Sequence, residues 1–598
     1  MSIIIEILKS LYSEYKHPRN RLRFFILIIL VISIIAYAKF IAFDIVFMFS
    51  ILLTAVYVFI AYKSTENAIL FSKYKLNKLE KIINQGKALE NPGLFNKKPW
   101  YLIDAKEQLE YYKLKSDFHN QRREQLKAYN CYLNIKKLNL TKTELDENKL
   151  NRALLLIKMG AYKKSDLILK EIEERLDQLE LKNRAFYYNL KAFVTEKKDM
   201  NFTKVVSLLQ KSKDLITDLD GEYPLKAQVF NNFGRIRRLQ NNITDARYYY
   251  KRAKEYTVRT KEASLIAVIF DNLISIYSLN GEYELLEKTK NEYMDLLEES
   301  LFTKEEKLNL QLSIARDNLY SNDYKSFIIE SYFKFKKDLS RKEKLIFNVN
   351  ALRLMSNSFI NAQVVAEEIA NNINKYFKLS MPDKFQILNE VEIFMRNKNN
   401  LKRFFDSNKI KIDFQLVKVI KMKEKVEKYM KNDALKDIQD YLDSLEEYQV
   451  NKRFVFLQFK LEVITKYSEP YNFNRVYKLF LELINICEIN GLKERKIDTE
   501  LNLVDEMLGL IGKIKDDKFD LKKMIRMHLN NIDQILSRIE IIPYLESYYI
   551  RTSYYYLSQD EIEKAEKYYN IIKRLSINPR NYSNWIKKQL KVIQNYFS

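Results

Sequence analysis

Two apolar rhythms run along the chain. Between Leu22 and Tyr62 almost every position is apolar, and beyond Arg23 the only charges are Lys39 and Asp44. Further on, apolar residues recur three and four positions apart, the spacing of one helix face. The stretch Ala227–Thr257 shows this best: Phe230 and Phe233 mark one short helix, and Ile243, Ala246, Tyr250 and Ala253 mark a second. Gly234 and Ala246, one on each, leave room for the two backbones to approach closely. This pattern predicts a helical hairpin.

The apolar run from Leu22 to Tyr62 holds 41 residues. As a single helix, at ~1.5 Å per residue, it would be roughly 60 Å long, about twice a ~30 Å hydrocarbon core. Two antiparallel spans, Leu22–Ala38 and about Ile45–Tyr62, fit instead, turning at Lys39–Asp44. A cleaved signal peptide would show one short apolar region and a small-residue cleavage site, and neither is present. Lys9, Lys16, Arg19, Arg21 and Arg23 precede the first span; Lys63, Lys73, Lys75, Lys78 and Lys81 follow the second. Flanking positive charge marks the cytoplasmic side. The expectation is a multi-pass cell-membrane protein with both ends, and the bulk of the chain, in the cytoplasm. The second lysine group would contact anionic lipid headgroups at ~1 kcal/mol per residue near the surface. The hairpin also offers a route to homo-oligomers.

Turn residues set a period. Gly160–Ala161–Tyr162, Met200–Asn201–Phe202, Asn241–Asn242–Ile243, Gly281–Glu282–Tyr283 and Asn322–Asp323–Tyr324 lie 40, 41, 40 and 41 residues apart. Glycine or asparagine at the turn supplies the left-handed conformation that ends a helix. The register across Ala227–Thr257 resembles the tetratricopeptide repeat, with a period longer than its 34 residues and so with longer helices. The resemblance implies an all-α fold, a right-handed α-solenoid following the N-terminal two-helix transmembrane hairpin. Phe270, Leu273 and Tyr277 continue the register, although Leu286 replaces its small residue. Beyond Tyr324 the pattern blurs, with Asn399–Asn400–Leu401, Asn432–Asp433–Ala434 and Tyr471–Asn472–Phe473 as candidate turns. It returns in Tyr549, Ser553, Tyr556, Asp560, Ile562, Ala565, Tyr569 and Ile572.

The expected organisation has six parts. Residues 1–21 form a cytoplasmic basic amphipathic segment, 22–62 the transmembrane hairpin, and 63–145 basic juxtamembrane helices with a cap. Residues 146–340 carry tetratricopeptide-like repeats, 341–545 degenerate helical repeats, and 546–598 a last repeat with a capping helix.

Composition narrows the chemistry. Nine glycines and eight prolines among 598 residues leave little β-turn material, which supports the all-α class. The formal charge of +24 comes from 102 basic and 78 acidic side chains, interspersed as on solvated helix faces. The first 150 residues hold 24 basic against 14 acidic side chains, which concentrates the excess beside the expected membrane. Cys131 and Cys487 match no metal spacing and fit a reducing compartment. Gly509 and Gly512 precede Lys513 without the rest of a phosphate-binding loop. His17, His119 and His528 are isolated, so no two-histidine metal motif or Cys–His pair can be drawn. No catalytic centre, metal or cofactor is expected, and the chain reads as a non-enzyme. Arg235, Arg237, Arg238, Arg247 and Arg252 interleave with Tyr248, Tyr249 and Tyr250 as in nucleic-acid grooves. Tyr250 falls on the packing register, however, and no nucleic-acid partner is expected.

A concave groove is the better candidate. The resemblance implies that the first helix of each hairpin lines it, here through Gln228, Asn231, Asn232, Arg235, Arg238 and Leu239, then Val268, Asp271, Asn272 and Ser275. An asparagine amide both donates and accepts, which suits a peptide backbone, and arginine takes a carboxylate in a fork. Equally, Asn232 and Asn272 could bond helix to helix. The leading expectation is a membrane-anchored cytoplasmic scaffold for a protein or peptide partner. The longer period also resembles the peptide-pheromone receptors of Gram-positive bacteria. That likeness implies an alternative, a sensing regulator or effector of the signalling or defence type with output through the membrane hairpin.

Overall fold

The computed structural model describes residues 74–83, 94–95, 105–298, 379–388 and 424–597, apart from isolated positions and residues 512–519, 538–541 and 576–583. They fall into two compact units, one within residues 1–81 and 93–114, the other within 82–92 and 115–598. In the first, Leu76 is fully buried, and Phe95 packs on Tyr111 with ring centroids 5.5 Å apart. Lys78 and Lys81 are exposed there and Lys75 is half-buried.

No strand occurs among the described residues. The helices are α1 (Ala105–Gln121), α2 (Gln125–Ile135), α3 (Lys142–Met159), α4 (Tyr162–Glu173), α5 (Leu181–Asp199), α6 (Phe202–Ile216), α7 (Tyr223–Leu239), α8 (Ile243–Thr257), α9 (Ala263–Asn280) and α10 (Tyr283–Glu298). After a stretch outside the described residues come α11 (Ala434–Asp443), α12 (Val450–Tyr467), α13 (Phe473–Asn490), α14 (Lys493–Leu510), α15 (Leu521–Leu536), α16 (Ile542–Leu557), α17 (Ile562–Arg574) and α18 (Asn584–Phe597). Consecutive helices pair as hairpins, α3 with α4, α5 with α6, α7 with α8 and α9 with α10, and each hairpin stacks on the next. The second helices start at Tyr162, Phe202, Ile243 and Tyr283.

Local chemistry explains the helix ends. Thr141 and Glu144 form a reciprocal capping box at α3, which closes at Gly160 in the left-handed conformation (φ 85°). Asn201, Asn242 and Asn472 cap α6, α8 and α13 by accepting from the backbone three residues on. One turn differs from expectation. At the end of α5 it is Met200, not Asn201, that adopts the left-handed backbone (φ 54°). A non-glycine residue there is strained, and the Met200 side chain, 2% exposed, packs against Phe202, Ile535 and Tyr544. Burial offsets the backbone cost.

The hairpin expected at Ala227–Thr257 is α7 and α8. Its buried stripe includes Ala227, Phe230, Ala246, Tyr250 and Ala253, continuing into Ile269, Phe270 and Leu273 of α9. A Cβ on Gly234 would lie 2.6 Å from Cδ1 of Tyr250, so the glycine makes room for that ring rather than for a bare backbone. In the next hairpin Leu286 fills the small residue's place at 4% exposure, beside Phe270 stacked on Tyr293 at 4.8 Å. Fully burying side chains of this size contributes about 1.5–3 kcal/mol each. Residues 424–545, where the register blurs, still form hairpins: α12 pairs with α13 and α14 with α15. At the end, α16 and α17 form a hairpin that α18 covers through Ile586, Leu590 and Ile593.

One expectation is corrected. Among the described residues no helix is long and apolar enough to cross a membrane. The multi-pass membrane location is therefore withdrawn, and the membrane partner loses its support with it. Residues 22–62, on which it was read, lie outside the described residues, as do Lys63 and Lys73. So do Asn241, Gly281, Asn322–Tyr324 and Asn399–Leu401 from the expected turns.

Candidate partner-binding groove

The first helices α5, α7 and α9 lie side by side and carry the residues singled out from the sequence. The structure joins their asparagines into a ladder. Asn232 Nδ2 donates to Asn189 Oδ1 at 2.8 Å, and Asn272 Nδ2 donates to Asn231 Oδ1 at 2.9 Å. Asn189 and Asn231 are 3% and 8% exposed, so these bonds link α5 to α7 and α7 to α9 inside the array. Gln228, Arg238, Leu239 and Ser275 are half-buried, while Asp271 and Val268 face solvent.

Arg235 is also engaged internally. Its guanidinium bonds the Glu196 carboxylate and lies 4.6 Å from the centroid of Phe193. Glu196 is 1% exposed. Burial opposes its charge, but Arg235 and Lys197 outweigh burial and hold its carboxyl below the usual range. Lys197 reaches Glu196 at 3.1 Å and Glu494 at 2.8 Å. Glu494 belongs to α14, 297 positions further along the chain.

That ion pair is part of a seam between two hairpin segments of the second unit. Lys493 donates to the Asp199 carbonyl at 3.4 Å, and Asn451 Nδ2 to the Lys158 carbonyl at 3.0 Å. Lys164 pairs with Glu447 at 3.0 Å, and Tyr129 packs on Tyr448 at 5.3 Å. Gly160 and Gly491 sit at the meeting turns: a Cβ on Gly160 would lie 2.4 Å from Asn451 Oδ1, and one on Gly491 2.8 Å from Lys198 Cγ. Both have positive φ, so the turns need glycine for conformation and for space.

A second candidate lies elsewhere among the described residues. Between first helices α12 and α14, with α13 beneath, a cleft of about 350 Å³ is lined by Gln458, Leu461, Glu462 and Thr465 on one wall and Thr499, Asn502 and Glu506 on the other. Phe480 and Leu483 form its floor. The wall residues recur three, four and seven positions apart, so each wall is one helix face. Glu506 accepts from the Tyr471 hydroxyl at 2.6 Å. Burial first, then that carboxylate, pushes the Tyr471 phenol well above its usual value. Thr465 and Thr499 donate to carbonyls of their own helices, Leu461 at 3.0 Å and Arg495 at 2.6 Å. The exposed amides of Gln458 and Asn502 complete the lining. Sequence reading placed the groove on the better-matched repeats and passed over these residues, although Asn472 already signalled the start of α13.

Arg247 pairs with Glu282 at 2.6 Å, Arg252 with Glu255 at 2.5 Å, and Tyr249 stacks on Phe233 at 4.8 Å. Tyr250 is fully buried, leaving Tyr248 the exposed ring. Among the described residues no cluster of three or more His, Cys, Asp or Glu could hold a metal ion. His119 pairs with Glu124 at 2.7 Å, and His528, 2% exposed, lies 3.8 Å from Glu500.

No family model and no curated protein matches the chain. Among solved structures, the apo form of the quorum sensor NprR from B. thuringiensis is 12% identical over 64% of this chain and 98% of its own, with a TM-score of 0.29. A Rap protein complexed with competence and sporulation factor is 13% identical over 75% and 99%, with a TM-score of 0.31. The APC/C hetero-tetramer Cut9–Hcn1 is 14% identical over 82% and 91%, with a TM-score of 0.29. The fold rests on the helix order and packing described above: an all-α, tetratricopeptide-like array of helical hairpins.

Proposed function

We propose that the chain is a protein- or peptide-binding scaffold rather than an enzyme, and that its partner sits on the first-helix face of the hairpin array. The observation that supports this is the α12–α14 cleft, where the exposed amides of Gln458 and Asn502 stand beside the half-buried Leu461, Glu462 and Glu506. A cleft that mixes apolar surface with a few convergent polar groups suits a ligand segment. The corresponding asparagines of α5, α7 and α9 bond one helix to the next and support the array from within. No cofactor enters this reading.

The test fills the groove. Leu461→Arg with Asn502→Arg places two long side chains at a half-buried and an exposed position of the cleft, and circular dichroism checks that the variant folds. Full-length wild-type and variant chains are purified in parallel, and the proteins and peptides retained by each are quantified by mass spectrometry. A partner retained in proportion to wild type and lost from the variant supports the groove. The same retained set on both chains refutes it.

A further inference from the structure

We infer that α18 is a docking surface for a partner protein, and that its uncovered face takes one amphipathic helix with acidic flanks. This surface is separate from the α12–α14 cleft and does not depend on it. The buried face of α18, formed by Ile586, Leu590 and Ile593, joins the core of α16 and α17. Beside it runs a second apolar stripe, Trp585, Val592 and Tyr596, at 37%, 48% and 53% exposure. At ~3.6 residues per turn these three fall within roughly 40° of one another, along roughly 16 Å of helix. Single exposed apolar residues are ordinary, whereas three large ones aligned on one helix mark an interaction surface. The stripe ends in an aromatic cluster. Tyr596 meets Phe597 edge-on at 5.1 Å, Phe597 stacks on Tyr569 at 5.3 Å, and Lys573 lies 4.4 Å from the Tyr569 centroid.

Charge identifies the occupant. The helix carries Lys587, Lys588 and Lys591 and no acidic residue. Lys588 stands three positions past Trp585 and four before Val592, on the flank of the stripe, and Lys591 extends that flank. All three lysines are exposed, and among the described residues none joins an ion pair. On the neighbouring α17, by contrast, Lys564 is matched by Glu561 at 2.5 Å. A second copy packed across a two-fold axis would set these lysines against themselves, with no carboxylate of α18 to answer them. A lipid surface needs a broad apolar face, and the broad face of α18 is already spent on α16 and α17. A stripe this narrow fits the apolar edge of a single helix. Acidic residues beside that edge would meet Lys588 and Lys591, which also turns basic helices away.

The experiment uses the full chain and two fluorescein-labelled peptides of about three heptads, with leucine at a and d. One carries glutamate at e and g, the other lysine. Fluorescence polarisation at tracer concentration should show the glutamate peptide binding about tenfold tighter or more. Val592→Asp with Tyr596→Ser should abolish that binding, and Lys588→Gln with Lys591→Gln should erase the preference, each with an unchanged circular dichroism spectrum. The cleft variant, Leu461→Arg with Asn502→Arg, should bind as wild type does; loss there would put the peptide in the cleft and overturn the assignment to α18. Equal binding of the two peptides, binding of neither, or binding untouched by the α18 variants overturns it as well. Self-association in sedimentation velocity that Val592→Asp removes would give the face to a second copy. Pelleting with phosphatidylserine vesicles that the same variant abolishes would give it to lipid, and either result refutes the acidic helix.

Discussion

Replacing Arg235 by methionine tests the buried ion pair that joins α5 to α7. Glu196 is 1% exposed and held by Arg235 and Lys197, so removing the arginine strands a buried carboxylate with one cation. Breaking a buried pair from one side costs about 3–5 kcal/mol. Here Lys197 stays at 3.1 Å, which argues for the lower end, about 3 kcal/mol. That sum already contains a charge-assisted hydrogen bond of about 1.5–3 kcal/mol and the stacking of the guanidinium on Phe193. Adding Glu196→Met removes the stranded charge, and Lys197 keeps Glu494 at 2.8 Å, so the double variant should recover most of the loss. A chain of this size does not unfold in one step, so a local measurement is required. Hydrogen exchange of the α5 and α7 amides reports the opening equilibrium directly. Arg235→Met should speed it roughly a hundredfold, and the double variant by less than about tenfold, since ~1.4 kcal/mol is a factor of ten. Less than about threefold acceleration in the single variant, or a double variant as damaged as the two singles combined, refutes the argument.

Gly234→Ala forces a Cβ to 2.6 Å from the Tyr250 ring, and Ala246→Leu overfills a fully buried site. Each should lower stability by about 1–3 kcal/mol, visible as faster exchange in α7 and α8, and unchanged exchange would place the helix crossing elsewhere. Asn232→Ala with Asn272→Ala strands the buried acceptors of Asn189 and Asn231, so it should loosen α5, α7 and α9 by about 1–3 kcal/mol per orphaned group. Normal stability in that variant would show that the ladder contributes nothing. Because Glu196 titrates below its unfolded value near 4.5, its contribution is complete above that pH and lost as pH falls through the lower folded value. Proteolytic susceptibility around α5 should rise on acidification below about pH 4.5 in wild type and less so in Glu196→Gln; identical profiles would contradict the sign. Burial pushes the Cys131 and Cys487 thiols up to about 11 and about 12, so Ellman's reagent at neutral pH should react only after unfolding. Rapid labelling of the folded chain would disprove their burial.

What was legible in the sequence is local. The hairpin of α7 and α8 follows from Phe230, Phe233, Ala246, Tyr250 and Ala253 at helical spacing, with Gly234 as the gap and Asn242 as the cap. These contacts span a few dozen residues at most, and each leaves its trace in periodicity or turn chemistry. The membrane location read from residues 22–62 is the part withdrawn, since no described helix meets the requirement for a membrane span.

Tertiary structure alone decided the rest. Arg235 looked available for a ligand carboxylate, yet Glu196 claims it, because α5 and α7 stack with those positions facing. Lys197 and Glu494 stand 297 positions apart, and no periodicity links them. Met200 takes a left-handed turn that glycine or asparagine would be expected to occupy, because a distant pocket of Ile535 and Tyr544 buries its side chain. Helical spacing specifies which face of a helix is apolar. Which polar residues on that face are spent on a neighbouring helix, and which remain for a partner, depends on where the returning chain lays its own side chains.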